Sequence, residues 1–250
     1  MTTRAAARPG GTPPIEPPGA RAKRAFYRRP QVVADYDAQR FGGAGGARVN
    51  AREQAIVAGL LPPGGVVADV GCGTGRLLPL LARRAQTLLA LDASLPMLRA
   101  AARQAPARLV QADAFALPLA DGALDALVSV RLLFHFPDPA PLLRELRRVT
   151  RPGGTLVCDT CTWSPRARLP LDRRRWGERV ATIGRANFRA AARAAGWRVR
   201  AERPCFLVSP YLYRGLPLAA AWLLERLEAR LPATLRCRVF WALEAADPTS

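Results

Sequence analysis

The chain has 250 residues, half of them hydrophobic, which supplies one full α/β domain or two small ones and excludes global disorder. Its longest apolar stretches, such as Leu216–Leu224, fall short of the ~20 residues that a membrane-spanning helix needs. The formal net charge of +19 gathers at the two ends of the sequence, and Lys23 is the single lysine among 38 basic residues.

Basic flanks of this kind suit nucleic acid, an anionic membrane face, an acidic substrate, or a solvated Arg-rich surface. The N-terminus lacks the apolar centre of a secretory signal, so a cytoplasmic protein is expected. Five cysteines are an odd number without a regular spacing, which fits free thiols in a reducing compartment.

In chain order, residues 1–24 are rich in Ala, Pro, Gly and Arg without periodicity and predict a disordered basic tail. Residues 25–250 read as a single domain. The run Gly42–Gly46 suits the hinge of a lid. Asn50 and Glu53 resemble a capping box that opens a helix to Leu61, where Pro62 and Pro63 stop it. Val66–Val70 predicts a strand, and Arg76–Arg84 has helical spacing. Thr87–Leu91 is the next strand, Ser94 caps a helix to Gln104, and Arg108–Gln111 is a third strand. Leu124–Val130 makes a fourth strand, Ala140–Val149 a helix, and Thr155–Cys158 a fifth strand after the turn Pro152–Gly154. The last third predicts a helix over Arg185–Ala195 ended by Gly196, a strand from Trp197, a helix over Leu216–Leu231 and a strand near Val239–Leu243. Strands alternating with helices of about ten residues imply right-handed crossovers and a parallel sheet covered on both faces.

The strongest local signal is Val66–Gly75, which reads VVADVGCGTG: a strand ending in a glycine-rich turn that opens a helix. Gly71 and Gly73 allow a tight turn and close approach to a ligand, and Gly75 allows the helix to pack on the strand. The spacing is G-x-G-x-G, not the G-x-G-x-x-G of dinucleotide sites. Asp69 before the loop is a poor neighbour for a pyrophosphate and a good one for a cation. Asp92 ends the second strand, where a carboxylate can accept from both hydroxyls of a ribose.

Residues from about Asp35 to Thr160 resemble the class I S-adenosylmethionine-dependent methyltransferases, most of all the small-molecule group that contains the ubiquinone and menaquinone biosynthesis enzymes. Asp69–Gly75 is similar to the first motif of that family, Leu91–Leu98 to its second and Gln111–Ala114 to its third. Asp121–Ser129, His135–Asp138 and Arg148–Gly154 follow in family order. The resemblance implies a Rossmann-like, doubly wound, mostly parallel seven-stranded α/β sheet with helices on both faces. It also implies S-adenosyl-L-methionine as cofactor, no metal, and methyl transfer to a small, largely apolar metabolite on oxygen or carbon.

By position, the Gly71–Cys72–Gly73–Gly75 loop would lie against the methionine part of the cofactor, with Asp69 neutralising its ammonium. Asp92, followed by Ala93, would take the ribose, and Asp113 the adenine amino group beside the Ala114 backbone. Met97 and Phe115 would pack on the adenine or simply fill the core. Ser129 and Arg131 end the fourth strand beside the methyl donor, and Arg131 could hold the cofactor carboxylate or an anionic substrate. Tyr36 and Arg40 lie in a segment similar to one that folds over the cofactor. His135, the only histidine, is placed by family position as the general base, with packing between Phe134 and Phe136 as the plainer alternative.

Residues 25–61 are thus expected as a helical lid, 62–161 as the cofactor core and 162–250 as the substrate side, aromatic residues such as Trp163, Trp176 and Tyr211 helping to exclude water. Cys158 and Cys161 form a lone C-x-x-C that predicts no zinc site. Leu216–Leu231 suits a core-packing or dimer helix, a cover for an apolar substrate, or peripheral membrane contact. An RNA methyltransferase, a nucleotide-cofactor oxidoreductase and a non-catalytic S-adenosylmethionine-binding protein are the alternatives. With no recognisable RNA-binding module, nucleic acid is not the favoured partner.

Overall fold

The apolar runs become the strands of one sheet. The computed structural model describes residues 3–4, 20–169, 179–213 and 215–247. Its strands are β1 (Thr3–Arg4), β2 (Val66–Val70), β3 (Thr87–Asp92), β4 (Arg108–Gln111), β5 (Leu124–Ser129), β6 (Thr150–Cys161), β7 (Trp197–Cys205) and β8 (Arg238–Ala245). They lie in the order β1-β4-β3-β2-β5-β6-β8-β7. Strands β2 to β6 run parallel to one another, and β8 runs antiparallel between β6 and β7. This is the expected seven-stranded, mostly parallel sheet, with the two-residue β1 added at its β4 edge.

Helices α1 (Ala20–Tyr27), α2 (Pro30–Phe41) and α3 (Gly43–Leu60) precede the sheet proper. α4 (Leu78–Ala82), α5 (Leu95–Ala101) and α6 (Ala140–Val149) are its crossovers, and helices Arg185–Ala194 and Leu218–Arg230 follow. Alternate strand residues feed two separate cores. Ala68, Val70, Leu127, Leu156 and Trp241 pack on α6 and on Phe188 of the later helix. Val67, Val128, Val157 and Phe240 pack on α3, α4 and α5. Burial on both faces is why the strands read as continuous apolar runs.

Several sequence expectations are corrected. Thr3–Arg4 pairs with β4 and α1 begins at Ala20, both inside the stretch expected to be tail. The Asn50–Glu53 capping box is not a cap, because α3 already runs from Gly43; Asn50 Oδ1 accepts instead from Gln54 and from Arg76 at 2.8 Å. Only Gly42 of the expected hinge breaks the chain, the others lying in the first turn of α3. Gly45 is required there by close approach, since a Cβ would lie 1.8 Å from the Tyr213 carbonyl oxygen. The helices expected over Arg76–Arg84 and from Ser94 to Gln104 shrink to α4 and α5, and the Pro152–Gly154 turn is absorbed into β6 as a register irregularity. Among the described residues no helix is long and apolar enough to cross a membrane. Trp176 lies outside the described residues.

Candidate active site

The strand order reverses between β2 and β5, and in such sheets the crevice beyond the carboxyl ends of those strands is where ligands bind. A cleft with about 870 Å³ of empty space opens there. Its floor is Gly71 and Gly73 after β2, Asp92 and Ala93 after β3, and Asp113, Ala114 and Phe115 after β4. Arg131 and His135, beyond β5, close one end, and Tyr36 and Met97 also line it.

The glycine turn and Asp92 are bonded together. The Gly73 N–H donates to Asp92 Oδ2 at 2.9 Å and the Ser94 N–H to Oδ1 at 2.8 Å. Burial raises the Asp92 carboxyl above its usual range, and these backbone donors oppose the rise. Each oxygen keeps a second lone-pair direction for a ligand hydroxyl. Gly75 sits at φ 83°, and a Cβ there would lie 2.8 Å from the Ala101 Cα, so only glycine lets the loop seat on α5. Asp113 Oδ1 accepts from the Phe115 N–H at 3.1 Å while Oδ2 takes Arg24 Nη1 at 2.8 Å. The acceptor expected for an adenine amino group is therefore half engaged by a side chain from α1.

Five expected residues do not line the cleft. Asp69 is buried behind the glycine turn; burial pushes its carboxyl up to about 7, Arg76 opposing and Asp92 adding to the rise. Cys72 packs in the core with its thiol raised by burial. Gly75 has the packing role above. The Ser129 hydroxyl donates to the Val70 carbonyl at 3.1 Å, tying β5 to β2. Arg40 is buried over the rings of Tyr36 and Tyr211, at 5.4 and 5.1 Å from the centroids, and its Nη1 has no hydrogen-bond partner among the described residues. Cys158 and Cys161 belong to different clusters, as residues three apart on one strand must point to opposite faces.

α1 and α2 add contacts that sequence reasoning did not give. Lys23 Nζ donates to the His135 carbonyl, and the Tyr27 hydroxyl lies 3.5 Å from His135 Nε2. Ser94 Oγ donates to the Tyr27 carbonyl at 2.9 Å, and Thr74 Oγ1 to Asp37 Oδ1 at 2.8 Å. His135 Nδ1 is buried with no hydrogen-bond partner among the described residues, and the imidazole is held well below its usual pKa by burial and then by Lys23, Arg166, Arg40 and Arg131. It is a neutral ring.

Beside the cleft lies a buried ion network that the capping-box reading hid. Glu53 is fully buried and pairs with Arg76 at 2.8 Å, Arg131 at 2.9 Å and Arg238. Arg238 also bonds Asp159, which accepts the Arg131 N–H at 2.5 Å. Burial disfavours the Glu53 carboxylate, but the three guanidiniums overrule it and hold its pKa well below the usual range. Arg131 itself has φ 69°, a left-handed backbone that aims its side chain back at Glu53. Its guanidinium is thus engaged bidentately inside the protein. A smaller pocket shares Arg131 with the main cleft and is walled by Phe134, Trp163, Val180, Arg166 and Tyr211. Burial raises the Tyr211 phenol, yet Arg166, Arg40 and Arg131 outweigh it and lower its pKa. Glu53 left one signal: it is the only acid between Asp37 and Asp69.

Residues 68–158 match the family described as a methyltransferase domain. An uncharacterized methyltransferase of Mycobacterium sp. (strain JLS) is 39% identical over 103 residues, which cover 41% of this chain and 41% of that protein. A protein of Xanthomonas campestris pv. campestris (strain B100), named as a ubiquinone biosynthesis O-methyltransferase, is 31% identical over 118 residues, covering 45% of this chain and 49% of its own length. The matches span about half the length of these curated relatives. An S-adenosylmethionine-dependent methyltransferase structure from Mesorhizobium loti superposes with a TM-score of 0.58 at 20% identity, covering 82% of this chain and 99% of its own. Residues 68–158 thus match a methyltransferase domain, and the fold is the one that the S-adenosylmethionine-dependent methyltransferase structure also has.

Proposed function

We propose that the protein transfers the methyl group of S-adenosyl-L-methionine to an oxygen or carbon of a small, largely apolar acceptor. The observation that carries this reading is that the glycine turn, Asp92 and the Asp113–Phe115 segment line one cleft whose far end is Arg131 and His135. The residues present fit the cofactor: Asp92 has acceptor capacity for a diol, and Met97 and Phe115 give apolar walls. The bound cofactor supplies an electrophilic methyl on a sulfonium.

The chain's own residues then have separable tasks. Tyr27, Tyr36 and the α1–α2 cover keep water from the reacting atoms. The smaller pocket beyond Arg131 seats the acceptor, aligned so that its nucleophile faces the cleft. The arginines that lower the Tyr211 phenol would equally favour ionisation of an acceptor hydroxyl. His135, neutral and with an unpartnered Nδ1, can take that proton while Tyr27 orients the ring through Nε2. The Xanthomonas relative supports a small-molecule acceptor, and the apolar walls of the smaller pocket support a ring or prenyl body.

Calorimetry with S-adenosylhomocysteine and with NAD tests the first step. Binding of the former alone is expected; binding of NAD instead would make the protein an oxidoreductase. An extract screened with methyl-labelled cofactor should yield a labelled small molecule. Labelled RNA, or tight salt-sensitive RNA binding in a gel shift, would overturn the acceptor class. Cofactor binding with no labelled product in any extract would favour a binding-only role.

A further inference from the structure

The helix Leu218–Arg230 holds two acids and two arginines, and the fold sorts them by face. Glu225 turns inward to Arg48 at 2.6 Å, and Glu228 to Arg52 at 2.8 Å and Arg236 at 3.5 Å. Both acids are thereby consumed by α3 and the segment before β8. The outward face keeps Leu218, Trp222, Leu223 and Leu227, exposed by 40% or more, with Arg226 and Arg230 as its only charges. The Arg226 guanidinium carbon lies over the Trp222 ring, 3.5 Å from its centroid.

This sorting runs against what solubility alone favours. A surface helix normally turns its apolar residues in and its charges of both signs out. Here burial takes Ala221 and a glutamate, while leucines and a tryptophan stay outside. The exposure is also localised: among the described residues, every large exposed apolar side chain falls between Trp163 and Leu235. Trp163 is itself a wall of the smaller pocket.

We propose that this face docks on an anionic lipid surface, Trp222 and the leucines entering the interfacial region and Arg226 and Arg230 meeting the headgroups. An apolar face flanked by arginines alone is complementary to such a surface in both hydrophobicity and charge. A second copy of the chain fits less well, because a two-fold contact through this face would set Arg226 and Arg230 against their own copies. The docking stands independently of the methyl-transfer reading.

Co-sedimentation of the full chain with vesicles tests it, using phosphatidylcholine alone and an equimolar mixture with phosphatidylglycerol. Wild type should pellet with the mixture at least about tenfold more readily than with phosphatidylcholine, and salt should release it. L223Q/L227Q and, separately, R226E/R230E should each lower the bound fraction about tenfold. All four positions are exposed, so melting temperatures should stay near wild type, which is to be checked. The inference is overturned if wild type does not pellet, if phosphatidylcholine alone serves as well, or if both variants pellet like wild type. Light scattering on the eluting protein supplies the remaining arm: a dimer that L223Q/L227Q converts to monomer would assign the face to a second copy.

Discussion

The two halves of the site are held by different physics. Around the glycine turn, backbone does the positioning: Asp92, Asp113 and the turn itself stand where strands β3, β4 and β2 end, and main-chain N–H groups fix the carboxylates. Around Arg131, side chains hold side chains. Glu53, Arg76, Arg131, Asp159 and Arg238 come from five separate stretches of chain and meet in one buried network. The first arrangement follows from strand order and tolerates change elsewhere, whereas the second depends on every member at once.

The sharpest way to break this contrast is at the network. Replacing Glu53 with Gln leaves three guanidiniums around a neutral amide, and a loss of about 3–5 kcal/mol is expected in urea unfolding. Because the Glu53 pKa is depressed in the folded state, its contribution is complete above the ordinary carboxylate range and is lost as pH falls toward its folded value. E53Q should therefore unfold with a shallower acid dependence than wild type, and equal slopes would remove Glu53 from its central place.

On the other side, Asp92→Ala should cost less stability than E53Q, about 1–3 kcal/mol, through the Gly73 and Ser94 N–H donors it leaves unpaired. It should also weaken S-adenosylhomocysteine binding by about 1–3 kcal/mol in calorimetry, through the hydroxyl acceptor it deletes. If stability falls and affinity does not, Asp92 serves only the glycine turn.

Next in size is a pH effect. The Asp69 carboxyl sits at about 7 because of its burial, so a cationic ligand beside it favours the ionised form. S-adenosylmethionine affinity should then rise with pH until about 7 is passed, by at most about tenfold per unit, and D69N should flatten the titration. Identical profiles for the two proteins would leave Asp69 without a part in ammonium recognition.

The smallest effect is expected at Ser129→Ala, which deletes the tie to the Val70 carbonyl. About 1 kcal/mol of stability should go, with cofactor affinity unchanged. A tenfold loss of affinity would return Ser129 to the binding residues.

The same contrast explains how far the amino-acid sequence could be read. Val66–Gly75 declares its strand and turn within ten residues, because both are local events, and α6 and the parallel sheet follow from periodicity for the same reason. Glu53 could not be read so, since its partners lie 23 to 185 positions away and its spacing from Asn50 imitates a cap. Ser129 and Arg40 were placed near the cleft by family position, yet local geometry turned one into a strand tie and buried the other between tyrosine rings. Lys23 and Arg24 escaped because the composition before residue 25 resembles a tail, whereas both lie in helix α1, where Arg24 pairs with Asp113 of the cleft.

α1 is also a matter of kinetics. It is fastened over the cleft by Arg24 on Asp113, by Lys23 on the His135 carbonyl and by its own Tyr27 carbonyl on Ser94. A molecule lodged beneath it can leave only when those fastenings open together, so its residence time is set by the frequency of that opening more than by its grip on the floor. Since Arg24 and Asp113 are partly exposed, with 26% and 38% of their side-chain surface accessible, added salt should shorten the residence time even where it leaves equilibrium affinity almost untouched.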